Sequence, residues 1–135
     1  MLGRVVRRSC RRNALVSDIV RIVTNPRRGR ALIYNGVLYV GGQAADDRSL
    51  DARGQTAQAL AKLDKVLAEA GTDKSRLLTA QIWLKDIGDF AAMNDAWDAW
   101  IDVATAPARA TAQCELAASD ALVEIIVTAA VGGNA

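Results

Sequence analysis

Histidine is absent from all 135 residues. That absence excludes Ser-His triads, Cys-His dyads and every metal site built on imidazole. Cysteine is scarce: Cys10 and Cys114 share no metal-ligand spacing. With Cys10 in a loose arm and Cys114 in a buried strand, no disulfide is expected, which fits a reducing cytoplasm. Although 51% of residues are hydrophobic, no apolar run approaches the roughly 20 residues of a membrane span. The chain therefore reads as soluble, without a membrane partner. Its length suits one domain that buries about two-thirds of its unfolded surface.

Acidic residues are missing from positions 1–15, which carry Arg4, Arg7, Arg8, Arg11 and Arg12. Subtracting that +5 from the chain's formal +2 leaves −3 for positions 16–135. The body is mildly acidic, which argues against a nucleic-acid surface there. Three readings of the arm compete. It is a basic arm for nucleic acid or anionic lipid, an Arg-rich transit peptide, or non-native sequence ahead of a true start at Val16. The last is favoured, because valine codons can start bacterial genes. On any of the three, residues 1–15 are predicted to be disordered, with a single domain over 16–135.

Within the body, Asp18–Thr24 reads as a strand and Asn25–Arg30 as a basic loop. Ala31–Tyr34 and Val37–Gly41 are β-rich runs joined by Asn35-Gly36, a strong hairpin signal. The glycines of Gly41-Gly42-Gln43 predict a bulge or a close approach to the backbone. Asp51–Ala70 reads as a helix with a Leu60, Leu63, Leu67, Ala70 stripe and Gly71 just past its end. A strand over Arg76–Lys85 follows. Asp86 is the expected N-cap of a second helix reaching about Ile101, with a Phe90, Met93, Trp97, Trp100 stripe. Ala108–Leu116 and Leu122–Ala130 are the last strands, read as neighbours. The order β-β-β-α-β-α-β-β predicts an α+β sheet with two helices packed on one face. The other face then needs a cover, most simply another copy of the chain.

Arg109 and Glu124 are the candidate chemistry. Arg109 shares a strand face with Thr111, Gln113 and Glu115. That face either meets solvent or lines a cavity, where a guanidinium fork can grip a carboxylate. Glu124 lies in a strand apolar on both faces, so its charge needs a partner or a task. It serves either a structural salt bridge or a held water. Asn94 is either an exposed helix residue or one that reaches the site. Cys114 reads as a small core residue. Trp83, Trp97 and Trp100 read as core or subunit interface. The Arg27-Arg28-Gly29-Arg30 loop is either a solvated turn or a positively charged cover for an anionic ligand.

From about Val20 to Val131 the chain resembles the RidA/YjgF family of reactive intermediate deaminases. The matching stretches are Tyr34-Asn-Gly-Val-Leu-Tyr-Val-Gly-Gly-Gln43, Gly54-Gln55-Thr56, Leu63-Asp64, Leu67-Ala-Glu-Ala-Gly71 and Ile82-Trp-Leu-Lys-Asp86. Phe90-Ala-Ala-Met-Asn94, Pro107-Ala-Arg109 and Leu122-Val-Glu-Ile125 complete the set in the same order and spacing. The resemblance implies a chorismate-mutase-like fold and a homotrimer with a barrel core and clefts between subunits. It also implies hydrolysis of enamine and imine intermediates, such as 2-aminoacrylate, to 2-oxo acids and ammonia. Arg109 would bind the substrate carboxylate and Glu124 the attacking water, with Gly42 and Asn94 at the pocket's border. No cofactor or metal is implied. In one respect the chain departs from the best-known deaminase branch. That branch has a tyrosine before the first hairpin, where this chain has Pro26-Arg-Arg-Gly-Arg30. Arg28 is therefore a candidate substrate contact, and the preferred imine is open.

Two other functions compete. One is a ligand-binding or regulatory trimer without turnover, and the other an RNA-directed translation inhibitor or endoribonuclease. Only the arm favours RNA, and nucleic acid is not the expected partner.

Overall fold

The computed structural model describes residues 18–132. The basic arm and the start-site expectation lie outside them. Strand β1 (Val20–Thr24) pairs with β2 (Gly29–Tyr34), and β2 forms a hairpin with β3 (Val37–Gln43). Asn35 and Gly36 turn that hairpin with φ of 52° and 77°. Both values are positive, as a turn matching the strands' twist requires.

Helix α1 (Ala52–Glu69) begins where the Asp51 side chain accepts from the Gly54 amide at 2.9 Å. It stops before Gly71, whose φ of 77° carries the chain out of the helix. Strand β4 (Leu77–Leu84), helix α2 (Phe90–Trp100), β5 (Ala108–Gln113) and β6 (Val123–Ala130) follow. The expected N-cap Asp86 instead caps a short 3-10 turn, Ile87–Asp89, and α2 starts only after it. Strand β5 ends at Gln113, short of Leu116, so Cys114 lies just past the strand and is half-buried.

The six strands lie in the order β1-β2-β3-β6-β4-β5. All neighbours run antiparallel except β4 and β5, the parallel pair joined across α2. The expectation that the last two strands adjoin is therefore wrong. The β4-α2-β5 crossover places β5 beside β4, because parallel neighbours need such a connection. Strand β6 then inserts between β3 and β4.

Leu38, Val40, Ala80, Ile82, Leu84, Val123, Ile125 and Val127 line the face that packs on the helices with Leu60, Leu63, Leu67 and Met93. Trp100 Nε1 donates to Asp64 Oδ2 at 3.0 Å and ties the two helices together. The opposite face carries Tyr39, Thr79, Gln81, Trp83 and Thr128 in register. Tyr39 and Trp83 stay 46% and 37% exposed there. Among the described residues no element covers this face, and exposed large aromatics are a common feature of contact surfaces.

Candidate active site

Glu124 sits on the uncovered face, opposite Trp83 in the register. Its carboxylate lies against the backbone of Gly42. A Cβ built on Gly42 would stand 2.0 Å from Glu124 Oε2 and 2.8 Å from its Cδ. The cause is local. Between Val40 and Gln43 the strand β3 carries a bulge against β6, and the Gln43 side chain braces it by donating to the Gly41 carbonyl at 3.0 Å. Both readings of the paired glycines thus hold together: the bulge creates the close approach.

The carboxylate opens into a cavity of about 820 Å³ whose walls include Arg28, Arg30, Arg48, Lys62 and Asp46. Three of those cations have partners. Arg30 meets Glu69 at 3.3 Å, Arg48 meets Asp120 at 2.9 Å and Lys62 meets Asp46 at 2.9 Å. The hydrogen bond from Lys62, and then its charge, hold the Asp46 carboxyl below its ordinary value. Among the described residues no ion pair ends on Glu124 or Arg28. The structural salt bridge considered for Glu124 is therefore not found among the described residues.

The loops around the cavity are held by Gln55, which is fully buried. Its Nε2 donates toward the carbonyls of Arg48, Leu50 and Asp120 at 3.2, 3.0 and 3.3 Å. Its Oε1 accepts from the Leu122 amide at 2.9 Å. One side chain thus joins the loop after β3 to the entry of β6, two residues before Glu124. Motif matching singled out Gln55 without this role, because its partners are backbone atoms distant in sequence.

Arg109 lies on the other face. It pairs in register with buried Ala80, and Thr111 with buried Ile82, so both point toward the helix layer. The guanidinium carbon sits 5.3 Å from the Trp97 ring and 6.0 Å from the Phe90 ring of α2. Such stacking holds a cation's orientation while leaving its hydrogen-bonding edge free. No carboxylate pairs with Arg109 among the described residues. Asn94 occupies the same helix face as Phe90 and Trp97, at helical spacing. Asn94 Oδ1 and Thr111 Oγ1 are buried without a hydrogen-bond partner among the described residues. Thr111 was visible in the sequence only as a neighbour of Arg109 on one strand face.

The candidate residues therefore form two groups in one chain. Glu124, Gly42 and Arg28 share the cavity, while Arg109 and Asn94 share the α2–β5 edge. From Arg109 to Glu124 the sheet path crosses β4 and runs three residues along β6. On ideal strand spacings that is roughly 14 Å, and the two side chains leave by opposite faces.

An α+β sheet carrying two helices on one face is a fold with known members. The family model described as endoribonuclease L-PSP matches residues 21–131. A RutC family protein of Haemophilus ducreyi is 44% identical over 113 residues, covering 84% of this chain and 97% of the relative. The RutC family protein YoaB of Escherichia coli is 45% identical, again over 84% of this chain and 98% of that protein. Among solved structures, a YjgF family member from Neisseria meningitidis superposes with a TM-score of 0.84 at 39% identity, covering 88% of this chain and 99% of that one. The chain belongs to the RidA/YjgF family.

Proposed function

We propose that this protein hydrolyses imines of 2-amino acids to 2-oxo acids and ammonia, at sites shared between copies of the chain. The observation that carries this reading is that Arg109 and Glu124 are charged strand residues without an ionic partner among the described residues, on opposite faces. A strand charge without a partner is costly, and such groups cluster at sites of function. A second copy against the uncovered face brings the Arg109 edge of one protomer to the Glu124 cavity of the next. The homotrimer that the family resemblance implies would supply such clefts, and the exposed Tyr39 and Trp83 support a covered face.

In that cleft Arg109 holds the substrate carboxylate through its fork. Its flanking rings fix the direction of the fork. Glu124 accepts a hydrogen bond from a water and takes its proton as the oxygen attacks the imine carbon. The new C–O bond gives a carbinolamine. Glu124 returns that proton to nitrogen, then takes the hydroxyl proton and passes it to the same nitrogen, so that the C=O bond forms as the C–N bond breaks, ammonia leaves and the 2-oxo acid remains. The imine carbon is already electrophilic, so holding water and carbon at contact distance supplies most of what is needed.

The test is ammonia and 2-oxo acid release from enzymatically generated imino acids by the wild type, Arg109→Ala and Glu124→Gln. Each variant alone is expected to lose acceleration. Refolding the two variants together restores about a quarter of the sites if each site draws on two chains. No recovery in a mixed oligomer rules out the shared site. No acceleration by the wild type with any imine rules out the deaminase in favour of a binding protein.

A further inference from the structure

We infer that the preferred imine carries a second acidic group, as in a dicarboxylic 2-imino acid, and that Arg28 receives its distal carboxylate. This rests on the deaminase reading and specifies its substrate. Among the described residues four cations line the cavity that holds Glu124, and three of them are neutralised by Glu69, Asp120 and Asp46. Arg28 is the remaining one, and no ion pair ends on it among the described residues.

Its position is set by the loop. The Asn25 side chain accepts from the amides of Arg27 and Arg28 at 2.8 and 2.9 Å, and the Asn25 amide donates to the Arg28 carbonyl at 2.8 Å. The guanidinium lies over β3, with Nη1 3.7 Å from where a Cβ on Gly41 would stand. Gly41 is the residue before the one that Glu124 touches. Arg28 also lines a neighbouring cavity of about 590 Å³, together with Arg21 and Arg27, and none of its described lining residues is a carboxylate. The potential beside Glu124 is therefore positive on the side that Arg28 occupies.

A water on Glu124 must reach the imine carbon, and the substrate's first carboxylate goes to Arg109 of the other copy. A side chain leaving that carbon toward β3 then meets Arg28. A carboxylate there gains a bidentate, charge-assisted partner. An apolar side chain leaves the guanidinium as it was, and a cationic one is repelled.

The experiment compares iminosuccinate, made from D-aspartate by D-aspartate oxidase, with 2-iminopropanoate, made from D-alanine by D-amino acid oxidase. Semicarbazide captures whatever imine the protein leaves. The wild type is expected to favour the dicarboxylic imine in kcat/KM by roughly ten- to a hundredfold, the worth of one hydrogen bond to a charged group. In Arg28→Gln that ratio should fall toward one, mainly through a higher KM for iminosuccinate, and Arg28→Lys should keep part of it. A wild-type ratio near one, or a ratio that Arg28→Gln leaves intact, overturns the assignment while the deaminase stands. Failure to accelerate either imine overturns both.

Discussion

Gly42→Ala separates the placement of the Glu124 carboxylate from the stability of the fold. The added methyl would stand 2.0 Å from Oε2, whereas ordinary contact begins near 3.4 Å. The carboxylate must therefore retreat by about 1.4 Å, and a misplacement of that order costs roughly a hundredfold in rate. The fold should tolerate the change. The φ of Gly42 lies outside the left-handed region, so alanine fits the backbone. The atom it meets is the free end of a side chain that can swing away. Forcing that side chain off its rotamer costs about 0.5–1.5 kcal/mol, while stiffening the unfolded chain returns about 0.4–1 kcal/mol. The melting temperature should stay within about 4 °C of wild type. The assay is imine hydrolysis under semicarbazide competition, with melting recorded on the same samples. Adding Glu124→Asp, whose shorter side chain clears the methyl, should hurt less in this background than in the wild type, a coupling a double-mutant cycle reads directly. Full activity in Gly42→Ala at unchanged stability would refute the role given to Glu124.

Other substitutions test separate parts of the argument. Arg109→Lys keeps the charge but not the planar fork stacked on Trp97, so activity should stay near that of Arg109→Ala, and recovery above a tenth of wild type would contradict a bidentate clamp. Thr111→Val removes a buried hydroxyl that has no hydrogen-bond partner among the described residues. Urea unfolding should show unchanged stability or a gain of up to about 1 kcal/mol, and a loss beyond that would reveal a partner. Gln55→Leu strands the Leu122 amide and the carbonyls its side chain served, so about 2–4 kcal/mol should disappear in the same measurement. Gly36→Val opposes a φ of 77° at the hairpin and should cost about 1–2 kcal/mol without altering the imine preference.

What the sequence made legible is what local chemistry determines. Asn35-Gly36 accepts two positive φ values, Asp51 caps α1, and Gly71 ends it. The Leu60, Leu63, Leu67 stripe could face only a core. The order of the sheet is a long-range result, and reading β5 and β6 as neighbours followed sequence proximity. A signal against it was present, since a strand, a helix and a strand in succession form the unit that makes parallel neighbours. Phe90 and Trp97 read as a helix stripe facing core or subunit interface, because helical spacing shows which residues share a face but not that an arginine lies against it. Gly42 and Glu124 were each singled out, yet their contact depends on a bulge register that only the paired strands create.

The positions of Arg109 and Glu124 show why the sequence alone could name them without joining them. Each is fixed by its own strand: Arg109 by the parallel pairing that turns it toward α2, Glu124 by the antiparallel pairing that turns it away. Because side chains alternate along a strand, shifting either register by one residue would put both on the same face. In β6 the core opposes that shift, since Val123, Ile125 and Val127 would leave the helix layer with it, and in β5 it would carry Arg109 off its stack on Phe90 and Trp97. Within one chain, this packing therefore holds the two charges on opposite faces. The hydrolysis proposed here must draw its carboxylate clamp and its water from different copies. Dilution below the assembly's dissociation constant should accordingly abolish turnover before it unfolds the protomer. Loss of activity that tracked unfolding alone would refute this requirement.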